Sequence, residues 1–266
     1  MWKKVLFIIV CSMLGLYVLV CGLLYFFQEK LIFFPEKLDN DFKFSFDDEY
    51  EELNIKTADG KLLNGLLFKT AEPKGLIFYL HGNAGSLNSW GTVAKTYTDL
   101  SYDLFILDYR GYGKSEGSIS GQDQLFGDVQ GAYDELKQKY EEKDIVVLGY
   151  SVGTGPAAKL ASTNNPGLLI LQTPYYSLTD LVKRMFPLLP TTILKYKFET
   201  NSYLQDAAMP IVIFHGDRDK VIYYESSVKL KNDLGEKVNL ITLPGQGHNG
   251  LTDNPDYLKA IKKILK

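Results

Sequence analysis

An unbroken apolar run opens the chain: from Val5 to Phe27 no side chain carries a charge. In a helix those residues extend about 34 Å at ~1.5 Å each, enough to cross the ~30 Å apolar layer of a bilayer. A core helix would show a polar stripe, and a cleaved leader a shorter run with small residues at its end. No stripe is visible, the first alanine is Ala58, and Val20 occupies the place where a lipidated Cys21 would need a small residue. The pattern predicts an uncleaved transmembrane helix over about 5–27, with Tyr25, Phe26, Phe27, Phe33 and Phe34 as an interfacial belt. Lys3 and Lys4 lie on one flank and Lys30, Lys37 and Lys43 on the other. With the N-terminus inside, the remainder of the chain is expected on the extracytoplasmic face.

Beyond this segment the pattern changes to short apolar runs alternating with helical periodicity. EELNIKT and KLLNGLLFKT flank Asp59-Gly60, which predicts a hairpin. Strands are then expected at GLIFYLHG (75–82), DLFILDYRG (103–111), DIVVLGY (144–150), GLLILQT (167–173), PIVIFHG (210–216) and KVNLITL (237–243). Helices are expected near 88–99, 223–234 and 254–265. Another carries Leu125, Val129, Ala132, Leu136 and Tyr140 on one face. The alternation breaks at 174–209, a stretch rich in Tyr, Phe and Pro. Strands that are apolar on both faces, joined by helices, predict a mostly parallel eight-stranded sheet covered on both sides. The expected division is an N-terminal segment 1–35 and one α/β domain, 36–266, with a cap inserted at 174–209.

Composition narrows the partners. Net charge is −3, and the first 35 residues carry Lys3, Lys4, Lys30 and Glu29, leaving the remainder more acidic. An acidic globular part argues against nucleic acid. Both cysteines, Cys11 and Cys21, lie in the apolar segment, so the rest has no thiolate ligand. Three scattered histidines give no metal-ligand spacing, and no cofactor is expected. GYGKS (111–115) resembles the end of a phosphate-binding loop, but Asp108 stands where that loop needs glycine.

The chemistry centres on GYSVGTG. Gly149-Tyr-Ser151-Val-Gly153 fits G-x-S-x-G between a strand and a helix, the setting in which a strained turn exposes a nucleophilic serine. A serine needs a base. Of His81, His215 and His248, only His248 follows both the serine and a suitable acid in chain order. His81 and His215 each end a strand and are expected to order their loops. FHGDRDKV offers Asp217 and Asp219. Asp219 is preferred because it lies farther past Gly216, and Asp217 is read as a turn former; Asp180 is a weaker alternative. In HGNAGS the backbone N–H of Asn83, together with that of Val152, would receive the negative oxygen of an acyl-transfer intermediate, each such donor lowering the barrier by about 3–4 kcal/mol.

These motifs, with HGNAGS, DYRGYGKSEG, GYSVGTGPA, HGDRDKV and GQGHN in that order, resemble the α/β-hydrolase superfamily across 50–266. The likeness extends to a branch of membrane-anchored serine hydrolases described as serine-aminopeptidase-like, in which QEKLIFFP is similar to the stretch after the anchor. The resemblance implies Ser151 as nucleophile, Asp219 as acid and His248 as base. Gly153-Thr154-Gly155 is similar to relatives acting on lysolipids, monoacylglycerols or palmitoyl thioesters. The expected activity is hydrolysis of an ester or thioester with an apolar acyl group. The alternatives are a peptidase on the same machinery and a silent, membrane-tethered binding protein. The cap aromatics Tyr175, Tyr176, Phe186, Tyr196, Phe198 and Tyr203 either pack against the sheet edge or form an acyl-binding wall.

Overall fold

The computed structural model describes residues 1–266. Its centre is an eight-stranded sheet: β1 (Tyr50–Lys56), β2 (Leu62–Phe68), β3 (Leu76–Leu80), β4 (Asp103–Leu107), β5 (Ile145–Tyr150), β6 (Leu168–Gln172), β7 (Ile211–Gly216) and β8 (Val238–Leu243). The spatial order is β8-β7-β6-β5-β3-β4-β2-β1. Only β2 runs antiparallel to its neighbours, pairing Ile55 with Leu63 and Leu67 with Phe105. The Asp59-Gly60 hairpin forms as expected, with Gly60 at φ 85°.

Alternation along the central strands explains why they are apolar throughout. Leu76, Phe78 and Leu80 of β3 enter one core, and Ile77 and Tyr79 the other. Successive strand residues point to opposite faces, and both faces here are covered by helices. One face carries Gln122–Lys137 and Thr154–Thr163, and the other carries Pro255–Ile264. Each fully buried Leu or Phe contributes about 1.5–3 kcal/mol relative to exposure.

Two expectations need correction. The helix expected near 88–99 is split into Leu87–Trp90 and Ala94–Thr98 by a 3-10 turn at Gly91–Val93. The ring of Phe46 lies against Gly91, where a Cβ would strike it. Tyr140 lies beyond the end of its helix at Lys137. The 174–209 stretch packs on the helices of one face, where Phe126 meets Phe198 and Tyr203. Tyr175, Tyr196 and Phe198 are buried there, whereas Phe186 is exposed.

The N-terminal helix, Trp2–Phe26, projects from this body with none of its residues buried. The chain rejoins the body directly after it. Gln28 is buried, Phe33 enters the core, and Phe34–Pro35 pairs in parallel with Ala84–Gly85. The segment 28–35 therefore packs with the α/β domain.

Candidate active site

Strand order reverses around β3, whose neighbours are β4 and β5. The loops that leave the C-terminal ends of β3 and β5 consequently face each other, at the position where open α/β sheets bind ligands. The β5 loop carries Ser151 at φ 52°. That left-handed conformation is costly for a residue with a Cβ, and the surrounding packing must hold it. Two glycines make the turn possible. A Cβ on Gly149 would lie 2.6 Å from the Gly153 carbonyl oxygen, and one on Gly153 would fall onto that of Leu80. Gly155 makes room for the Tyr175 hydroxyl of the cap, and Pro156 sits in the first turn of the following helix, where its missing N–H is tolerated.

The structure brings Ser151, His248 and Asp219 together. Ser151 Oγ lies 3.0 Å from His248 Nε2, and His248 Nδ1 lies 2.7 Å from Asp219 Oδ2. A carboxylate only accepts, so Nδ1 carries the proton and Nε2 is free to accept from the serine hydroxyl. Asp219 Oδ1 accepts from the N–H groups of Val221 and Ile222, at 2.8 and 2.9 Å. Burial pushes its carboxyl pKa up. The contacts from His215, His248 and the Ile222 N–H outweigh burial and hold it well below the usual carboxylate range.

Asp180 lies elsewhere, bonded to the Tyr223 hydroxyl and to Lys229 Nζ. Asp217 does more than shape a turn, because its Oδ1 accepts from the Gly245 N–H at 2.7 Å and so ties down the loop that carries His248.

One supporting group escaped the sequence reading, and a second does more than order its loop. Tyr150, the residue before the serine, donates its hydroxyl to the His248 carbonyl oxygen at 2.6 Å. His215 faces the Ile222 carbonyl through Nε2 at 2.9 Å and Ser227 Oγ through Nδ1 at 2.6 Å. Its Nε2 is also 3.3 Å from Asp219 Oδ2, so it braces the carboxylate from behind. The strand-end position of His215 pointed to a loop-ordering role, but of its partners Ser227 comes from the later helix Glu225–Leu234, which spacing alone does not bring to it.

Across the cleft, the Asn83 carbonyl accepts from the Phe34 N–H at 2.7 Å and from the Tyr112 hydroxyl at 2.6 Å. The Asn83 N–H has no backbone or side-chain acceptor. Val152 lies in the first turn of the 3-10 helix Ser151–Gly153, whose N–H groups have no carbonyl to bond within the helix. Beneath this loop His81 is fully buried, with Nε2 3.2 Å from Asp108 Oδ1 but poorly aligned for a hydrogen bond. Burial raises the Asp108 carboxyl above its ordinary value, and the His81 contact offsets part of that rise. In the GYGKS loop, Ser115 donates to the Asp108 carbonyl and Lys114 pairs with Glu52 at 2.7 Å, contacts that brace the turn.

Comparison with known proteins supports the architecture. Residues 71–205, 135 of the 266 in the chain, match the family described as serine aminopeptidase, S33. That stretch includes the Asn83 and Ser151 loops and ends before Asp219 and His248. The chain is 27% identical over 226 residues to alpha/beta hydrolase domain-containing protein 17C of Xenopus tropicalis, covering 82% of this chain and 70% of that protein. It is 27% identical over 270 residues to protein bem46 of Schizosaccharomyces pombe, covering 95% and 90% respectively. A Pyrococcus furiosus esterase has a similar structure, with a TM-score of 0.68 at 18% identity, covering 88% of this chain and 97% of the esterase. That likeness shows the α/β-hydrolase fold.

Proposed function

We propose that this chain, which belongs to the serine aminopeptidase S33 family of α/β hydrolases, is a membrane-anchored serine hydrolase for an ester or thioester with an apolar acyl group. The observation that carries this reading is the chain of contacts from Ser151 Oγ through the His248 ring to Asp219, at 3.0 and 2.7 Å. In the proposed reaction Ser151 attacks the acyl carbonyl while His248 takes its proton. The N–H groups of Asn83 and Val152 receive the charge on oxygen. His248 then returns the proton to the departing alcohol or thiol, leaving an acyl-serine. Water, deprotonated by His248, releases the acid and restores the serine.

The carboxylates on the loops around Ser151 favour acyl esters over peptides with a free amine. Glu36 accepts from Ser86, Asp108 from the Leu87 N–H, Asp217 from Gly245, and Asp219 faces both histidines. Each of the four already serves the fold or the serine–histidine pair, and none stands free of protein contacts to receive a substrate ammonium. The helix over 2–26 serves as the anchor in this reading, residues 36–266 form the hydrolase domain with the cap at 174–209, and that domain lies on the extracytoplasmic side.

The test is a Ser151→Ala variant of the full chain. Ester turnover and labelling by a fluorophosphonate should both disappear while the thermal transition persists. Labelling that survives in a folded variant would remove Ser151 as the nucleophile. Faster cleavage of aminoacyl anilides than of acyl esters by the native chain would favour the peptidase instead.

A further inference from the structure

The cap turns part of its apolar surface outward. MFPLLPTTIL (185–194) has no charged residue, and Met185, Phe186 and Leu188 are 54%, 56% and 85% exposed. Beyond Phe34, the other exposed large apolar side chains are Leu62, Val221 and Leu258, each isolated in sequence. Scattered apolar side chains need no explanation, whereas a contiguous patch calls for something to cover it.

The position of this patch identifies its cover. The Leu188 carbonyl accepts a 2.8 Å hydrogen bond from the hydroxyl of Tyr17, in the N-terminal helix. Tyr17 lies about 15 Å along that helix from Phe27, at ~1.5 Å per residue. Nearer the body the two segments are tied again. Gln28 Nε2 donates to the Ile193 carbonyl at 2.7 Å, Gln28 Oε1 accepts from the Lys195 N–H at 2.9 Å, and Lys195 Nζ lies 3.2 Å from Glu29. The cap tip thus runs beside the apolar helix, and whatever surrounds Tyr17 also surrounds Leu188.

Backbone and charge fit the same environment. A lipid-facing loop must limit its unbonded polar groups. Here Pro187 and Pro190 have no N–H, Phe186 donates to the Val182 carbonyl, and Leu189 donates to that of Phe186. The charges end at Lys183 and Arg184, in the last turn of the cap helix Leu178–Met185. Basic residues at the edge of an apolar insertion suit the headgroup layer.

We propose that the cap tip, Met185 to Pro190, is a second membrane-embedded element, inserted in the bilayer leaflet nearest the hydrolase domain, beside the N-terminal helix. The inference rests on that helix being a membrane span, so the test probes both. The full chain carrying Cys11→Ser and Cys21→Ser is reconstituted in phosphatidylcholine–phosphatidylglycerol vesicles. An environment-sensitive dye is attached at Leu188→Cys, at Leu14→Cys in the helix, or at Leu258→Cys on the far helix. Vesicles with nitroxide on the acyl chain should quench the dye at 188 roughly threefold more than the dye at 258, and to a degree similar to that at 14. Quenching at 14 but not at 188 overturns the proposal. Absence of quenching at 14 overturns the membrane-span reading beneath it.

Discussion

Ser151 holds a left-handed φ of 52°, and its reach to His248 depends on a histidine loop fixed at several points. Tyr150 fixes one of them, through the hydrogen bond to the His248 carbonyl. Replacing Tyr150 with Phe keeps the buried ring and deletes only that bond, which is ordinarily worth about 1 kcal/mol. We expect kcat to fall roughly fivefold with KM nearly unchanged, read from steady-state ester hydrolysis. Asp219 adds a dependence on pH. Its folded pKa is depressed, so its stabilisation is fully present above the unfolded carboxylate value of about 4 and is lost as pH falls toward the folded value. The thermal midpoint of the native chain should therefore drop relative to Asp219→Asn as pH is lowered from about 5 to 3. A constant difference between the two melting curves would refute the linkage. At this scale the sequence was informative because strand-end glycines and chain order single out Ser151, Asp219 and His248. Tyr150 was hidden at a position that the G-x-S-x-G pattern leaves free, and the bracing role of Asp217 depends on a loop contact that spacing does not report.

At the level of elements, apolar runs located the central strands, since burial on both faces removes polar interruptions, and the Asp59-Gly60 turn located the outermost one, Tyr50–Lys56. Less legible was the 3-10 turn at Gly91–Val93, where Gly91 packs under the ring of Phe46, a contact that sequence spacing does not report. The cap aromatics posed a similar problem. Tyr175 and Phe198 read equally well as wall or as packing until the helix beneath them was in place. Their closeness to the serine turn gives a sharp expectation. A Cβ on Gly155 would strike the Tyr175 hydroxyl and lie 3.0 Å from Phe198 Cβ. Gly155→Ala should cost about 1–3 kcal/mol by overpacking, and adding Tyr175→Phe should recover part of that loss. Denaturant titration of the three variants in detergent measures the coupling, and strict additivity would show that the hydroxyl is not the obstacle.

For the whole molecule, the stem after the N-terminal helix does more than connect. Phe34 donates to the Asn83 carbonyl and Glu36 to that of Gly85, and the Glu36 carboxylate accepts from Ser86 at 2.7 Å. The loop facing Ser151 is thus held from outside the sheet by the residues that follow the N-terminal helix. Sequence patterning could show that QEKLIFFP follows an apolar helix, but a two-residue strand pairing across the chain leaves no periodic trace. If the stem positions the Asn83 N–H, its contribution lies in the transition state more than in substrate binding. Glu36→Ala should then lower kcat toward a soluble ester several-fold while KM changes little, and Glu36→Gln, which can still accept from Ser86, should recover most of the rate. Removing residues 1–27 keeps the contacts of Phe34 and Glu36 with the Asn83 loop, so that truncation should hydrolyse the same soluble ester within roughly threefold of the full chain. A truncation at 27 that is folded but inactive would instead mean that the Asn83 loop draws its geometry from the helix itself. Equal rates for Glu36→Ala and the native chain would leave the stem a tether alone.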